Sequence, residues 1–389
     1  MTLRIAGMGW VTPLGSGVSA VWERLMRGDQ AVAERIGSPL HDRTYPVFRV
    51  PADATAKAPA HPRLRRSSAI SRFAVVAGLA ALENAGVRLR PEEADRTAVI
   101  FAISNGGVVY TRRFYHEVVE SGAQAASPLL FPETVFNAPA SHLAAILGIT
   151  GASYTLVGDG AVGLLALKMA EDLLLGPDLD RCLVVGAEEA DWLLCDAYCR
   201  WQLHRREPPI ELFRSHPRGT ILSEGAGAVL LVPQDVSSEG SPSVCFEQID
   251  AGCNFPSQNQ AVKSVQQVLH HLRANQDDVI VASANGTFID AAEADAVLQQ
   301  CPGANLYAPK AAMGESVGAS GIWQTICAAQ ALLTQQLPPT PGSAVKPPLF
   351  GGGTDEAPLM TRAIVSACGM NQQVAGLSLR RCGDRPGVS

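Results

Sequence analysis

The sequence predicts an α/β protein, a five-layer α/β/α/β/α sandwich built from two duplicated halves. Segments with the pattern of strands alternate with segments of helical pattern along the 389 residues, as is typical of α/β folds. The order strand, helix, strand, glycine-containing turn, apolar helix and closing strands occurs twice, which indicates a duplication. We therefore expect two halves, residues 1–240 and residues 241–389.

Two helices account for the middle layer of this sandwich. The helix at 161–175 is apolar on nearly every face, and a helix of that kind is buried on all sides. Its counterpart in the second half, 318–333, carries Gly318, Gly321 and several alanines. Because small residues allow two helices to approach closely, we expect both helices to lie side by side between two sheets.

The other elements of the first half follow from hydrophobic periodicity and turn residues. Two segments, 29–66 and 105–141, are predicted to be irregular insertions. Gly86 is predicted to end a helix, because glycine is common at helix C-termini. In chain order the predicted elements are strand 3–9, helix 18–27, helix 69–86, strand 97–103, strand 153–157, helix 161–175, strand 181–190 and strand 225–234.

The second half repeats this order with shorter connections. A segment rich in proline and glycine, 338–358, is predicted to be a surface loop before the closing strands. In chain order the predicted elements are strand 243–253, helix 260–275, strand 278–287, helix 318–333, strand 362–370 and strand 374–381.

The composition excludes several classes of function. A net charge of −6 argues against nucleic-acid binding, which needs a basic surface. No run of 18 uncharged apolar residues occurs, so we expect no membrane span. The nine cysteines are scattered singly without a CxxC pair, which predicts neither a disulfide framework nor a metal site. We expect a cytoplasmic protein, because no secretory signal is evident at the N-terminus. We also expect no cofactor.

The turn between strand 153–157 and the first central helix consists of Gly158, Asp159 and Gly160. A strand–turn–helix of this kind often presents a nucleophile at the helix N-terminus, where backbone N–H groups and the helix dipole favour negative charge. None of the three turn residues is Ser or Cys. The turn therefore has the form of a nucleophile site without its nucleophile.

Several blocks of sequence, in the right order, resemble the β-ketoacyl synthases of the thiolase superfamily. The opening stretch GMGWVTPLGSGVSAVWERLMRG resembles the family's first strand, turn and helix. Glu224 to Gly227 match the family's GEGAG block, and KAAMGESVGASG, from Lys310 to Gly321, matches the pattern K-x-x-x-G-H-x-x-G-A-x-G without a gap. The resemblance implies a thiolase-like fold and an enzyme that joins acyl chains on acyl carrier protein by decarboxylative Claisen condensation.

The departures from the family pattern fall on its catalytic residues. Aligned with the family's T-A-C-x-S turn, the chain has Gly160 in place of the nucleophilic Cys. The two family His residues are replaced by Asn285 and Glu315. The family's gate Phe, in the motif G-F-G-G-x-N, is replaced by Ala367.

These replacements predict that the condensing machinery is lost. Without a side chain at Gly160 no covalent acyl-enzyme forms there, and an ionised Glu315 repels the developing enolate instead of donating to it. We expect Lys310 and Glu315 to form an ion pair in the former active-site space. Asp159 is either an acid or base or, as we favour, an acceptor for turn amides.

Cys368 lies on the turn that resembles the family's oxyanion loop. It is either a substitute nucleophile or a small residue that fills the space left by the missing Phe. We favour the second role, because no His partner stands beside it in the sequence.

The resemblance implies that the chain is a partner subunit rather than a lone enzyme. Family members are dimers in which the strand before the nucleophile pairs with its twin, and some non-catalytic members, the chain-length factors, pair with an active ketosynthase. This chain looks similar to such subunits of aryl polyene and type II polyketide systems. We expect a heterodimer with an active ketosynthase, with acyl carrier protein bound mainly through that partner. The expected interface strand is Ser153, Tyr154, Thr155, Leu156 and Val157.

Two further roles follow from this implication. Phe131 and Phe136 lie in the insertion that borders the partner's acyl pocket in the family, so they are either tunnel walls or ordinary core aromatics. The alternative function is an enzyme with residual activity, a malonyl carrier protein decarboxylase or a hydrolase, that uses Asp159, Asn285 and Glu315.

Overall fold

The computed structural model describes residues 2–234, 242–342 and 359–382. The predicted boundary between residues 240 and 241, and most of the predicted surface loop, lie outside these ranges. The strands are β1 Leu3–Thr12, β2 Gly15–Ser16, β3 Ala33–Gly37, β4 Thr44–Phe48, β5 Thr97–Ile103, β6 Ser153–Val157, β7 Arg181–Glu188, β8 Leu222–Ser223, β9 Gly225–Pro233, β10 Ser243–Asn254, β11 Val279–Val281, β12 Asn305–Tyr307, β13 Arg362–Cys368 and β14 Gln373–Cys382.

The helices surround and separate these strands. They are α1 Val18–Met26, α2 Ala69–Asn84, α3 Pro91–Ala94, α4 Val108–Ser121, α5 Ala138–Leu147, α6 Val162–Leu174, α7 Trp192–Arg200, α8 Ala261–His271, α9 Phe288–Gln300, α10 Lys310–Met313 and α11 Val317–Thr334.

The two halves contain sheets of the same topology. In the first half the strand order is β6-β5-β7-β9-β1, and in the second it is β12-β11-β13-β14-β10. In each sheet the first three strands of this order are parallel and the last two pairings are antiparallel. A single pairing, Arg4 with Cys245, joins β1 to β10. The predicted duplication is therefore confirmed, strand by strand.

The layers also agree with the prediction. α6 and α11 contact strands of both sheets, and their apolar side chains form the largest buried cluster, which lies between the sheets. α2 and α5 cover the outer face of the first sheet, whereas α8 and α9 cover that of the second. The result is the expected α/β/α/β/α sandwich.

The two central helices cross where both lack side chains. A Cβ built on Gly163 of α6 would lie 3.1 Å from the backbone nitrogen of Ile322 and 3.2 Å from the Cα of Gly321. A Cβ on Gly321 would in turn lie 3.3 Å from the Cα of Gly163. The small residues of the second central helix therefore serve the close approach that was expected of them.

The two predicted insertions contain regular structure. Segment 29–66 forms the hairpin β3–β4, which pairs with β8 in a small second sheet. Segment 105–141 contains α4 and the start of α5. α4 escaped prediction because it buries no residue within the chain and so has no apolar stripe facing a core. Its β-branched and aromatic residues also favour strands in isolation.

Gly163→Val tests the crossing of the central helices. We expect the free energy of unfolding to fall by about 2–3 kcal/mol, because the added side chain has no space between α6 and α11. Chemical denaturation of the full chain measures the loss. Gly37→Ala is the control, since a Cβ there meets no atom within 4 Å, and its effect should stay within about 0.5 kcal/mol. Equal effects of the two variants would contradict this account of the crossing.

Candidate functional site

The turn that precedes α6 lies against the turn between β13 and β14. A Cβ on Gly160 would lie 3.2 Å from the Cα of Gly369 and 3.8 Å from the carbonyl oxygen of Cys368. A side chain at this position thus requires a shift of a few tenths of an ångström. Gly160 offers only backbone groups to this site.

Asp159 occupies the space between the two turns. Its Oδ2 accepts the backbone N–H of Asn371 at 2.6 Å, and the backbone N–H of Gly160 also donates to its carboxylate. A Cβ on Gly369 would overlap the carboxylate and displace it, so glycine at this position leaves room for Asp159. Burial raises the pKa of Asp159, and these two hydrogen bonds oppose the rise. The expected role as an acceptor for turn amides is confirmed.

Glu315, Asn285 and Lys310 meet in a closed polar network. Glu315 Oε2 accepts hydrogen bonds from Lys310 Nζ at 2.7 Å and from Asn285 Nδ2 at 2.7 Å. Its Oε1 accepts the hydroxyl of Ser320 at 2.8 Å. Glu315 and Lys310 are each 2% exposed and Asn285 is 0% exposed. The predicted ion pair between Lys310 and Glu315 is therefore confirmed, and both carboxylate oxygens have partners.

Three short backbone segments hold this network in place. Glu315 lies between α10 and α11, where its N–H donates to the carbonyl of Ile221 and its carbonyl accepts the N–H of Ser223, both at 2.9 Å. Gly314 precedes it with φ +83°, a conformation that favours glycine. Thr287, the N-cap of α9, donates its hydroxyl to Asn285 Oδ1 at 2.6 Å. These hydrogen bonds thus fix the backbone of Glu315 and the orientation of the Asn285 amide.

A cavity of about 850 Å³ opens beside Asp159. Its wall includes polar side chains from five parts of the chain, among them Ser104, Asn105, Asp159, Tyr198, Asn254 and Asn371. Asn285, Glu315 and Lys310 do not line this cavity. Of the three residues of the alternative enzyme function, only Asp159 therefore lines this cavity.

The residue aligned with the family's gate Phe is buried. Ala367 lies within β13 and is fully buried in the core between the sheets. Met370, two residues after the end of β13, lines the cavity beside Asp159.

Cys368, the last residue of β13, is buried and its thiol faces no partner that ionises it. Its N–H donates to the hydroxyl of Ser283 at 2.8 Å. Burial raises the pKa of the thiol well above its usual value, with nearby Glu293 adding to the rise. Because the thiolate is the nucleophilic form, this geometry favours the space-filling role.

The residues expected at an interface or tunnel lie at the surface of the chain. β6 is the last strand of its sheet and pairs only with β5 among the described strands. Tyr154 and Val157 on this strand are 43% and 52% exposed. Phe131 is 56% exposed and packs on Phe114 of α4, and Phe136 is 45% exposed. The two phenylalanines are therefore not core aromatics.

Two buried carboxylates near the site were not predicted. Glu188, at the end of β7, accepts the backbone N–H groups of Ser104 at 2.9 Å and Asn105 at 3.3 Å. Glu293 accepts the hydroxyls of Ser283 and Ser366, each at 2.8 Å. Burial raises the pKa of each of these carboxyls to about 7. No local motif indicates them, because their partners are distant in sequence.

Two absences apply to the described part of the chain. Within residues 2–234, 242–342 and 359–382, no helix combines the length and the apolarity needed to cross a membrane. Over the same ranges, no group of three or more His, Cys, Asp or Glu side chains is placed to hold a metal ion.

Comparison with known proteins gives a consistent set of relatives. The family model "Beta-ketoacyl synthase, N-terminal domain" matches residues 2–236, and "Beta-ketoacyl synthase, C-terminal domain" matches residues 244–343. The 3-oxoacyl-[acyl-carrier-protein] synthase 2 of Vibrio cholerae is 22% identical over 93% of each chain.

Solved structures share the whole fold. The ishigamide ketosynthase/chain length factor superposes with a TM-score of 0.81 at 18% identity, covering 97% of this chain and 98% of the other. A ketosynthase (ApeO) in complex with its chain length factor (ApeC) from Xenorhabdus doucetiae gives a TM-score of 0.76 at 19% identity, covering 98% of each chain.

Glu315→Gln tests the buried network. We expect a loss of about 3–5 kcal/mol in the free energy of unfolding, because the Lys310 ammonium is then buried without a carboxylate. The double variant Lys310→Met/Glu315→Gln should lose less than the single variant, since both charges are removed. Lys168→Ala, which breaks half-exposed pairs on α6, should cost less than about 1 kcal/mol. A double variant as unstable as Glu315→Gln would contradict the ion-pair account.

The buried carboxyls predict a pH dependence of stability. Burial raises the pKa of Glu188, Glu189 and Glu293 to about 7 from an ordinary 4.5, so between these values the native state holds protons that the unfolded state lacks. Stability should therefore rise as the pH falls from 8 to about 6.5. Below that, His204 opposes the trend, because burial lowers its pKa to about 4.

Denaturation midpoints at pH 8, 7 and 6.5 measure this effect. Glu189→Gln should reduce the slope, because one of the proton-binding groups is removed, whereas Glu120→Gln on the surface of α4 should leave it unchanged. If the stability stays constant or decreases as the pH is lowered from 8 to 6.5, the carboxyls do not titrate as the buried geometry requires.

Proposed function

The chain belongs to the β-ketoacyl synthase family, and we propose from this premise that it is a non-catalytic, chain-length-factor-like subunit. It pairs with an active β-ketoacyl carrier protein synthase and shapes the tunnel for the growing acyl chain in aryl polyene, polyketide or fatty-acid-like elongation. Acyl carrier protein binds the complex mainly through the active partner.

One observation carries this proposal. Gly160 stands at the N-terminus of the central helix without a nucleophile, and the side chains at Asn285 and Glu315 are buried in a network with Lys310 that does not line the cavity beside Asp159. Acyl transfer needs a thiolate at the thioester carbonyl, and decarboxylation needs free donors aimed at the enolate. The described residues around this turn supply neither a thiolate nor free hydrogen-bond donors.

The surface of the chain supports a partner at β6. Among the described strands β6 ends its sheet, so its outer edge has backbone groups without a β-partner in that part of the chain, and it carries exposed apolar side chains. An exposed apolar strand edge is a template for pairing with another chain. α4 also buries none of its residues within the chain. Phe131 and Phe136 are exposed in the same insertion as α4, and they are candidates for walls of a tunnel shared with the partner.

The relatives support the same proposal by analogy. One solved neighbour is a ketosynthase with its chain length factor. Another is a ketosynthase in complex with its chain length factor, and a third is a type II carrier protein in complex with its ketosynthase. Because curated relatives include 3-oxoacyl synthases, the loss of chemistry in this chain rests on its own residues and not on the comparison.

The alternative, residual decarboxylase or hydrolase activity, receives less support from the geometry. It requires Asp159, Asn285 and Glu315 to act on one substrate, whereas the side chains of Asn285 and Glu315 are buried and engaged in internal hydrogen bonds. Assay of carbon dioxide release from malonyl carrier protein by this chain alone distinguishes the two functions.

Co-expression with ketosynthases encoded nearby tests the proposed function. We expect a 1:1 heterodimer by size and mass analysis, and condensation that is abolished when the partner's active-site Cys is changed to Ala. Acyl label should appear on the partner alone. A monomeric chain that binds no ketosynthase, or an acyl group mapped to a side chain of this subunit, would refute the proposal.

Surface variants locate the interface in the same experiment. Tyr154→Asp combined with Val157→Asp should weaken the heterodimer at least tenfold, because two charges enter an apolar contact. Leu298→Asp on α9 is the matched control, since Leu298 is 50% exposed on the outer layer of the second half. Its complex should have unchanged affinity.

A further inference from the structure

A second concavity lies on the other side of α7 and is lined by arginines. It has a volume of about 910 Å³. We call it the arginine pocket, and its cationic lining residues are Arg35, Arg43, Arg200, Arg205, Arg206 and Arg218. This accumulation of positive charge stands out in a chain whose net charge is −6.

Three of the six arginines are neutralised by carboxylates. Arg35 pairs with Glu207, which lines the same pocket. Arg200 pairs with Asp196 at 2.8 Å, and Arg205 pairs with Glu211 at 3.0 Å. The other three guanidinium groups of the pocket lie outside these pairs.

Arg43, Arg206 and Arg218 form no ion pair with a carboxylate of the described residues, and their side chains donate no hydrogen bond there. The pocket also contains His204, which adds no charge because burial lowers its pKa to about 4. After the three ion pairs are counted, the arginine pocket therefore has three positive charges without a neutralising carboxylate of the described residues.

A buried donor points to the same conclusion. The side chain of Arg205 is 7% exposed, and its Nη1 is buried without a hydrogen-bond partner among the described residues. A buried guanidinium N–H without an acceptor costs free energy. Like charges held in one concavity also repel each other. An anion in the pocket would relieve this repulsion.

We propose that the arginine pocket binds a phosphate-bearing anion with at least two negative charges. Guanidinium groups recognise phosphate through paired N–H donors, and a tetrahedral polyanion can satisfy several of them at once. The surplus charge of the pocket matches that of a diphosphate. The phosphate belongs either to a free small molecule or to a group tethered to another protein.

The pocket lies next to the cavity beside Asp159. Cys199, Arg200, Gln202 and His204 face the arginine pocket, whereas the neighbouring positions Tyr198, Trp201 and Leu203 line the cavity. The end of α7 and the segment after it thus separate the two spaces. The anion site itself rests only on the charges of the pocket, so it stands or falls independently of the proposed subunit role.

Titration calorimetry with inorganic pyrophosphate tests the proposal on the full chain, in complex with its partner where a complex forms. We expect saturable 1:1 binding that Arg43→Ala/Arg218→Ala weakens at least tenfold. Arg63→Ala/Arg65→Ala is the charge-matched control, because these exposed arginines lie outside the pocket, and it should change affinity less than twofold. Absence of binding, or equal weakening by both double variants, would overturn the proposal.

A second arm identifies the source of the phosphate. Acyl carrier protein is titrated with and without its phosphate-bearing arm. If binding of the carrier protein requires both its arm and the two pocket arginines, the pocket binds a tethered phosphate. If pyrophosphate binds the pocket but binding of the carrier protein requires neither the arm nor these arginines, the pocket binds a free phosphate. Pocket-dependent binding of the carrier protein that is equal with and without the arm would refute phosphate recognition.

Discussion

The contact between the two central helices is the constraint on which the rest of the structure depends. At Gly163 and Gly321 the backbones of α6 and α11 meet directly, which lets each helix pack on both sheets at once. At the start of α6 the turn that contains Asp159 also lies against the turn after β13. The position of Asp159 beside Gly369 depends on that proximity.

Within this frame the charged side chains at the centre of the site are paired. The Glu315 carboxylate accepts three hydrogen bonds, and the Asp159 carboxylate takes the backbone amides of both facing turns. Burying an unpaired charge costs several kcal/mol, on the order of the stability of a whole domain. Asn285, Lys310 and Glu315 therefore form a structural network that stabilises this part of the protein.

The sequence predicted much of this structure, because its strongest signals are local. The alternating elements, the apolar central helix and the ion pair five residues apart can all be found in short windows. α4 was missed because it covers no core of its own chain. Glu188, Glu293 and the arginine pocket could not be predicted, since they assemble side chains from segments far apart in the chain.

The buried pair of Lys310 and Glu315 also limits which single substitutions the protein tolerates. Exchange of Glu315 alone leaves a buried ammonium without its carboxylate, and exchange of Lys310 alone leaves a buried carboxylate without its ammonium. A side chain at 369 would displace the Asp159 carboxylate. These positions are therefore coupled, and a change at one of them is tolerated best when its neighbour changes with it.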